Sequence, residues 1–353
     1  GADNPFDGTV YARRGGDPTV RMLEASSKAP FEKELFDLRD KRVAHLDAAA
    51  EIRRIEVSGA KTPFTLEKEG AGWKLLAPAG AADTAVAERI ATDLKSLKAT
   101  AIAADGAMVT AVYGLVPPKV KVKLGVGSGK DALTRTLVFG QPPGGKTFAK
   151  RDDSPTVYEV DAQALKALDK ELFELQDKQL VHAERDAIRK LEIEAPGAAK
   201  IEVAREKTQP ADGGAADENF AVLAPQKGPG KKWKLSSVLY SITGLRAAAF
   251  EPLPKDNKGL VKLGLDRPRT LSVFGEGGKL LARLKVGGES PAKRRYVVVE
   301  GSDRVAEVEK GQIDELPWKL DDVLDTAPPA APDAGTALGP DAATKTPAAS
   351  TAR

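Results

Sequence analysis

His45 and His182 are the only imidazoles in the chain, and 137 residues separate them. Each is followed two residues on by an acid, Asp47 or Glu184. A histidine beside a carboxylate can bind a metal or act as a general base. Metal binding needs further ligands, and base catalysis needs a nucleophile in reach; neither pattern accompanies either histidine. A turn histidine copied when a unit duplicated explains both. The sequence therefore assigns no catalytic, cofactor-binding or metal-ligating residue.

Three other groups invite a chemical reading. Gly125-Val126-Gly127-Ser128-Gly129-Lys130 resembles a phosphate-binding loop, but the spacing requires Gly where Leu124 stands and Ser or Thr where Asp131 stands. Strand-like residues on both sides make it a hairpin turn instead. Lys293-Arg294-Arg295 could meet an anionic surface, yet Glu289 and Glu300 bracket it as in a solvated turn. Trp73, Trp233 and Trp318 do not cluster in sequence. Trp73 occupies the place that Phe220 takes in the second copy described below, which points to core filling.

Composition narrows the function classes. With 54 Lys and Arg against 51 Asp and Glu, the net charge is +3, too balanced for a dedicated nucleic-acid binder. Aromatics make up 5%, so stacking platforms for bases or sugars are not advertised. The absence of cysteine removes disulfides, thiolate nucleophiles and Cys-based metal sites. No apolar run reaches the roughly 18 residues that would span a bilayer as a helix. The opening Gly1-Ala2-Asp3-Asn4 carries neither Met nor signal-peptide character and reads as a cut end, with any anchor lost.

Internal repetition sets the frame for all of these residues. Glu34-Leu35-Phe36-Asp37-Leu38-Arg39-Asp40-Lys41 returns as Glu171-Leu172-Phe173-Glu174-Leu175-Gln176-Asp177-Lys178. The same register pairs Tyr11 with Phe148, and Asp17-Pro18-Thr19-Val20 with Ser154-Pro155-Thr156-Val157. Farther on, Trp73 to Pro78 lies over Phe220 to Pro225, after a longer Gly/Ala/Asp turn between Lys207 and Glu218 that a loop absorbs cheaply. Tyr113-Gly114-Leu115 matches Leu263-Gly264-Leu265. A third tail, Tyr296 to Val299 and Arg304 to Val308, closes the folded region.

Each head opens with period-two apolar residues, Ile55 and Val57 in one copy, Leu191 and Ile193 in the other, as in a strand pair. An amphipathic helix from about Asp83 to Ala99 puts Val86, Ile90, Leu94 and Leu97 on one stripe; Leu235, Val238, Ile242 and Leu245 repeat it. Val120 to Leu124 pairs through a Gly turn with Leu133 to Phe139, and a short helix falls near Ala162 to Leu168. The expected class is α+β: tandem repeats of an antiparallel sheet with amphipathic helices packed on one face. The expected divisions are residues 1–33, the end of a truncated preceding repeat; 34–170 and 171–326, two full repeats; and 327–353, a disordered Ala/Pro-rich tail. The orphaned first tail is expected to dock in part on the following head, through a continuous helical link at Glu32 to Phe36.

This order of motifs resembles the bacterial domain of unknown function 4340. The shared elements are Leu38-Arg39-Asp40-Lys41, Trp73 to Pro78, the amphipathic helix, Tyr113-Gly114-Leu115 with Pro117-Pro118, and the aromatic–valine tail. The second copy departs from it at Phe220, Leu263 and Gln176. The resemblance implies a periplasmic repeat region behind an N-terminal membrane anchor missing from this chain. It also implies protein partners among ABC-transporter components of the gliding-motility type, no nucleic acid, and no catalytic residue. The expected function is a non-catalytic cell-envelope interaction module. The alternatives are a metal-dependent or hydrolytic enzyme using the His45 and His182 regions, and a cell-wall glycan binder.

Overall fold

The computed structural model describes residues 2–106, 110–127, 132–208 and 217–326. The expected hairpin turn at Ser128 to Asp131, residues 209–216 of the expected Lys207 to Glu218 turn, and the expected tail at 327–353 lie outside the described residues. The chain divides into two compact units, Gly1–Lys178 and Gln179–Arg353.

The first unit begins with strands β1 (Thr9–Ala12) and β2 (Arg21–Glu24) and helix α1 (Leu35–Leu38). Strands β3 (Ile52–Ser58), β4 (Phe64–Glu69), β5 (Gly72–Ala77) and β6 (Ala79–Ala81) follow, then helix α2 (Thr84–Ser96). The unit ends with β7 (Ala99–Ala104), β8 (Val120–Val126), β9 (Leu133–Gly140), β10 (Thr147–Arg151), β11 (Val157–Val160), α3 (Ala162–Leu168) and α4 (Leu172–Leu175).

The second unit repeats the plan. It contains β12 (Lys190–Glu194), β13 (Ile201–Thr208), β14 (Asp217–Ala224), β15 (Gly228–Pro229) and α5 (Lys232–Thr243). Next come β16 (Ala249–Pro252), α6 (Asn257–Lys262), β17 (Arg269–Phe274) and β18 (Leu280–Glu289). The unit closes with β19 (Arg294–Val299), β20 (Arg304–Glu309), α7 (Lys310–Asp314) and α8 (Leu320–Val323).

Each unit is built on one nine-stranded antiparallel sheet, and the first also holds the separate β1–β2 pair. Its order is β6-β5-β4-β3-β8-β9-β10-β11-β7 in the first and β15-β14-β13-β12-β17-β18-β19-β20-β16 in the second. The two orders are the same once corresponding strands are matched. In both, the tail strands insert between the last hairpin strand and a strand that follows the helix. A tail therefore completes the sheet of the head before it.

Helix α2 starts where the Asp83 carboxylate accepts from the backbone N–H groups of Ala85 and Val86, and it buries Ala87, Ile90, Ala91 and Leu94. It ends at Ser96, short of the expected Ala99, because Ala99 donates its N–H to the Lys41 carbonyl and starts β7 instead. The tail strands are covered on both sides. Ala149, Tyr158 and Val160 join the main core with α2, α3 and α4, while Phe148 and Val157 meet Leu115 and Tyr113 in a smaller cluster. The Tyr113-Gly114-Leu115 motif exists for that contact. Gly114 takes φ +67°, and a Cβ on Gly140 would stand 2.3 Å from the Tyr113 carbonyl oxygen. Leu263-Gly264-Leu265 meets Gly287 in the same way, with Gly264 at φ +66°.

Two expectations change. The Glu171 to Lys178 segment closes the first unit rather than opening the second: Leu175 is buried in the first core, its carbonyl accepts from Asp83, and Asp177 donates to Ala81. The first tail does not dock on the following head's sheet. β1 and β2 form a two-stranded sheet of their own, and Glu34 is extended between a 3-10 turn at Ala29–Phe31 and α1, so no continuous helix links them.

Because Leu175 fills the core and its repeat equivalent Leu38 faces solvent, the same truncation should act differently at the two sites. Leu175→Ala should cost about 3 kcal/mol in denaturant unfolding of the first unit. Leu38→Ala should stay within about 0.5 kcal/mol.

Candidate functional site

The residues singled out for chemistry do not converge. His45 is exposed in a left-handed turn (φ +50°), with Nδ1 2.8 Å from Asp40 Oδ2. Its carboxylate partner is thus Asp40, not Asp47. Asp40 is itself held by the Arg42 guanidinium at 2.7–3.1 Å, and this ion pair first, with His45 adding to it, keeps the carboxyl far below the usual range. His182 is exposed in the other unit. Among the described residues, no group of three or more His, Asp and Glu could hold a metal ion.

Of the basic triplet, Arg294 pairs with Glu309 at 2.8 Å and Arg295 with Asp314 at 3.1 Å, leaving little free positive charge for an anionic surface. Gly125 and Val126 lie in β8, which pairs with β9, as a hairpin requires. Trp73 and Phe220 are both buried. Trp318 is buried too, its indole N–H donating to the Ile313 carbonyl at 2.9 Å.

Trp233 is the exception, 77% exposed on α5. The helix sequence Lys232-Trp233-Lys234-Leu235-Ser236-Ser237-Val238-Leu239-Tyr240 sends Leu235, Val238, Leu239 and Ile242 into the core. Trp233, Ser237 and Tyr240, at i, i+4 and i+7, then share the opposite face. Tyr240 is 62% exposed. The first unit shows what this face looks like without aromatics. Its α2 buries Ala87, Ile90, Ala91 and Leu94 in the same pattern, which places Ala85 opposite Trp233 and Thr92 opposite Tyr240.

A buried ionic network fixes the Tyr240 ring. The Arg185 guanidinium stacks 4.2 Å above it and also donates to its hydroxyl at 3.2 Å. Arg185 is anchored by Glu218 at 2.8 Å, and Ser236 donates to the same carboxylate oxygen at 2.6 Å. Beneath lies Arg205, its side chain only 3% exposed, ion-paired to the other Glu218 oxygen at 2.5 Å. Arg205 also donates to the carbonyls of Arg185 and Ile188 at 2.6 and 3.1 Å and to Asp186 at 3.2 Å. Burial alone would raise the Glu218 carboxyl, but the Ser236 hydroxyl and the two guanidiniums outweigh it and hold it below the usual glutamate range. In the first unit Lys68 takes the place of Arg205, pairs with Glu88 at 2.9 Å and Glu51 at 3.2 Å, and lies 5.9 Å from the ring centre of buried Trp73.

The sequence reading missed this face because it matched Trp73 to Phe220 across the repeat but did not match Trp233 to Ala85. Matching α5 to α2 residue by residue was the signal available.

The profile of the domain of unknown function DUF4340 matches three overlapping stretches, residues 1–112, 81–256 and 221–334. The chain belongs to the DUF4340 family. The second and third matches start 140 residues apart, at 81 and 221, which follows the repeat of the two sheets. No curated protein and no solved structure matches the chain. Among the described residues of this DUF4340 chain, no helix is long and apolar enough to cross a membrane.

The depressed Glu218 carboxyl sets a pH dependence. A group with a lowered folded pKa stabilises above its unfolded value, and that stabilisation is lost as pH falls through the folded one. Glu218→Gln should destabilise the second unit by about 3 kcal/mol at pH 7, since it leaves Arg205 without its closest counter-charge. The difference from wild type should shrink below about pH 4. Urea unfolding of both proteins across pH 3–8 measures it.

Proposed function

We propose that this chain is a non-catalytic interaction module of the cell envelope, accessory to an ABC-type membrane complex. In this reading the helices lie on one face of each sheet, and the outward side of α5 is what the module presents to its protein partner. One observation carries it: exposed Trp233 and braced Tyr240 replace Ala85 and Thr92 on helices whose buried positions correspond. Mostly exposed, the two rings bury little apolar surface within the fold, and Trp and Tyr dominate binding energy in protein interfaces. Bracing by Arg185 lowers the entropy lost when Tyr240 is engaged. The envelope location and the transporter partner rest on the family resemblance.

A glycan-binding reading draws on the same two aromatics. The convex helix face favours a protein, because sugars are held in concave sites with convergent polar groups.

The test combines two changes. A photo-crosslinking residue at Ser237, in cells that make the protein, should give a discrete adduct with a membrane-complex protein. Adding Trp233→Ala and Tyr240→Thr should weaken capture by about tenfold or more, with the melting temperature within about two degrees of wild type. Capture unchanged by the double substitution would contradict the proposal. Adducts confined to cell-wall glycan would favour the other reading.

A further inference from the structure

The chain contains the same tail hairpin three times, with one register. Val10↔Leu23, Tyr11↔Met22 and Ala12↔Arg21 correspond to Thr147↔Val160, Phe148↔Glu159 and Ala149↔Tyr158, and to Arg295↔Val308, Tyr296↔Glu307 and Val297↔Ala306. The second and third copies sit inside nine-stranded sheets, between β9 and β7 or between β18 and β16. The first is a two-stranded sheet by itself. Hairpins of two strands are marginal alone, and their edges accept further strands.

Side chains tell the same story on both faces. Val157, against the small cluster, is fully buried, whereas its equivalent Val20 is 60% exposed. Leu168, against the main core, is 1% exposed, and its equivalent Phe31 is 89% exposed. Leu175 and Leu38 differ in the same way, 1% against 72%. Residues whose counterparts are buried on two separate faces are left in solvent together. Along the outer edge of β1, Ala2 to Asn4 already run antiparallel to Thr9–Tyr11, with Asn4 donating to Thr9 at 2.7 Å and Tyr11 to Ala2 at 3.1 Å. That is the lane in which β9 runs beside β10.

We infer that the β1–β2 hairpin and α1 form a docking surface for a head of this same repeat class: a sheet edge of the β9 type, a strand of the β7 type and an α2-like helix. The interface is established twice within the chain, so its chemistry is specified. Main-chain hydrogen bonds would form along both hairpin edges. The apolar stripe of the helix would cover Leu23, Phe31 and Leu38, and a Tyr-Gly-Leu loop would cover Val20.

The test supplies that head. Because Gly140 and Asp3 are 137 residues apart, a second copy of residues 42–140 joined directly before Asn4 of the whole chain restores the repeat spacing and keeps the glycine that the Tyr-Gly-Leu contact needs. Hydrogen exchange of the backbone amides from Val10 to Leu23 should slow by at least a hundredfold relative to the unextended chain. The added copy should be protected as well. Leu23→Asp with Leu38→Asp in the extended chain should abolish both effects while residues 43–326 of the original part keep their protection.

An added head that folds while Val10 to Leu23 exchange as before would overturn the inference. So would an added head that stays unfolded beside an unchanged hairpin. Light scattering on the unextended chain separates the remaining occupant. A dimer whose formation protects Val10 to Leu23 would show that a second copy of the chain covers this face, against the inference.

Discussion

Insertion of a tail hairpin between two strands of its own head is the contact on which each unit depends. β7 and β16 follow their helices directly in sequence, yet each reaches the sheet only by pairing with the last tail strand, β11 or β20. Until the tail returns, β9 or β18 has a free edge, β7 or β16 has no strand of the sheet beside it, and part of the apolar stripe of α2 or α5 has nothing to cover. Buried Tyr158 and Val160 in one unit, and Val305 and Val308 in the other, mark where that return is locked. A partly unpaired sheet edge carries unsatisfied backbone groups, so insertion should be all or none.

The repeat also separates what the fold requires from what it permits. Positions the packing depends on are held in kind across the copies: Tyr113-Gly114-Leu115 against Gly140 and Leu263-Gly264-Leu265 against Gly287 beside the tail, and Trp73 exchanged for Phe220 in equally buried places far from it. The outward helix face is free of that demand, and there the copies diverge. Trp233 and Tyr240 replace Ala85 and Thr92 there, and beneath them, buried on β13, Arg205 replaces Lys68. A guanidinium suits the second unit because its planar fork meets Glu218, Asp186 and two carbonyls at once, which an ammonium on a flexible stem does less well. The stacked order Arg205, Glu218, Arg185, Tyr240 ties the exposed ring to the buried base of the sheet.

Much of this order was legible in the residues themselves. The apolar stripes of α2 and α5, the β8–β9 hairpin and the short α3 helix followed from periodicity, because burial on one face leaves a pattern of period 3.6 or 2. The sheet edge did not. β7 is Ala99-Thr100-Ala101-Ile102-Ala103-Ala104, a composition that favours helix, and only pairing with β11 makes it a strand. The link at Glu32 to Phe36 looked helical because local propensity cannot register that Phe31 and Leu35 lack a surface to pack on. The Asp40 partner of His45 was hidden by its left-handed backbone, which turns the ring back toward residues earlier in the chain.

Native-state hydrogen exchange in graded denaturant, followed residue by residue, tests the insertion account most directly. If insertion holds the unit together, Val157 to Val160, the β7 amides and the α2 amides should lose protection in one step, at the global unfolding free energy of the first unit. Arg21 to Glu24, in the same hairpin register but without a head around them, should exchange far faster throughout. Separate early opening of β10 and β11, with α2 and β3 to β5 still protected, would contradict it.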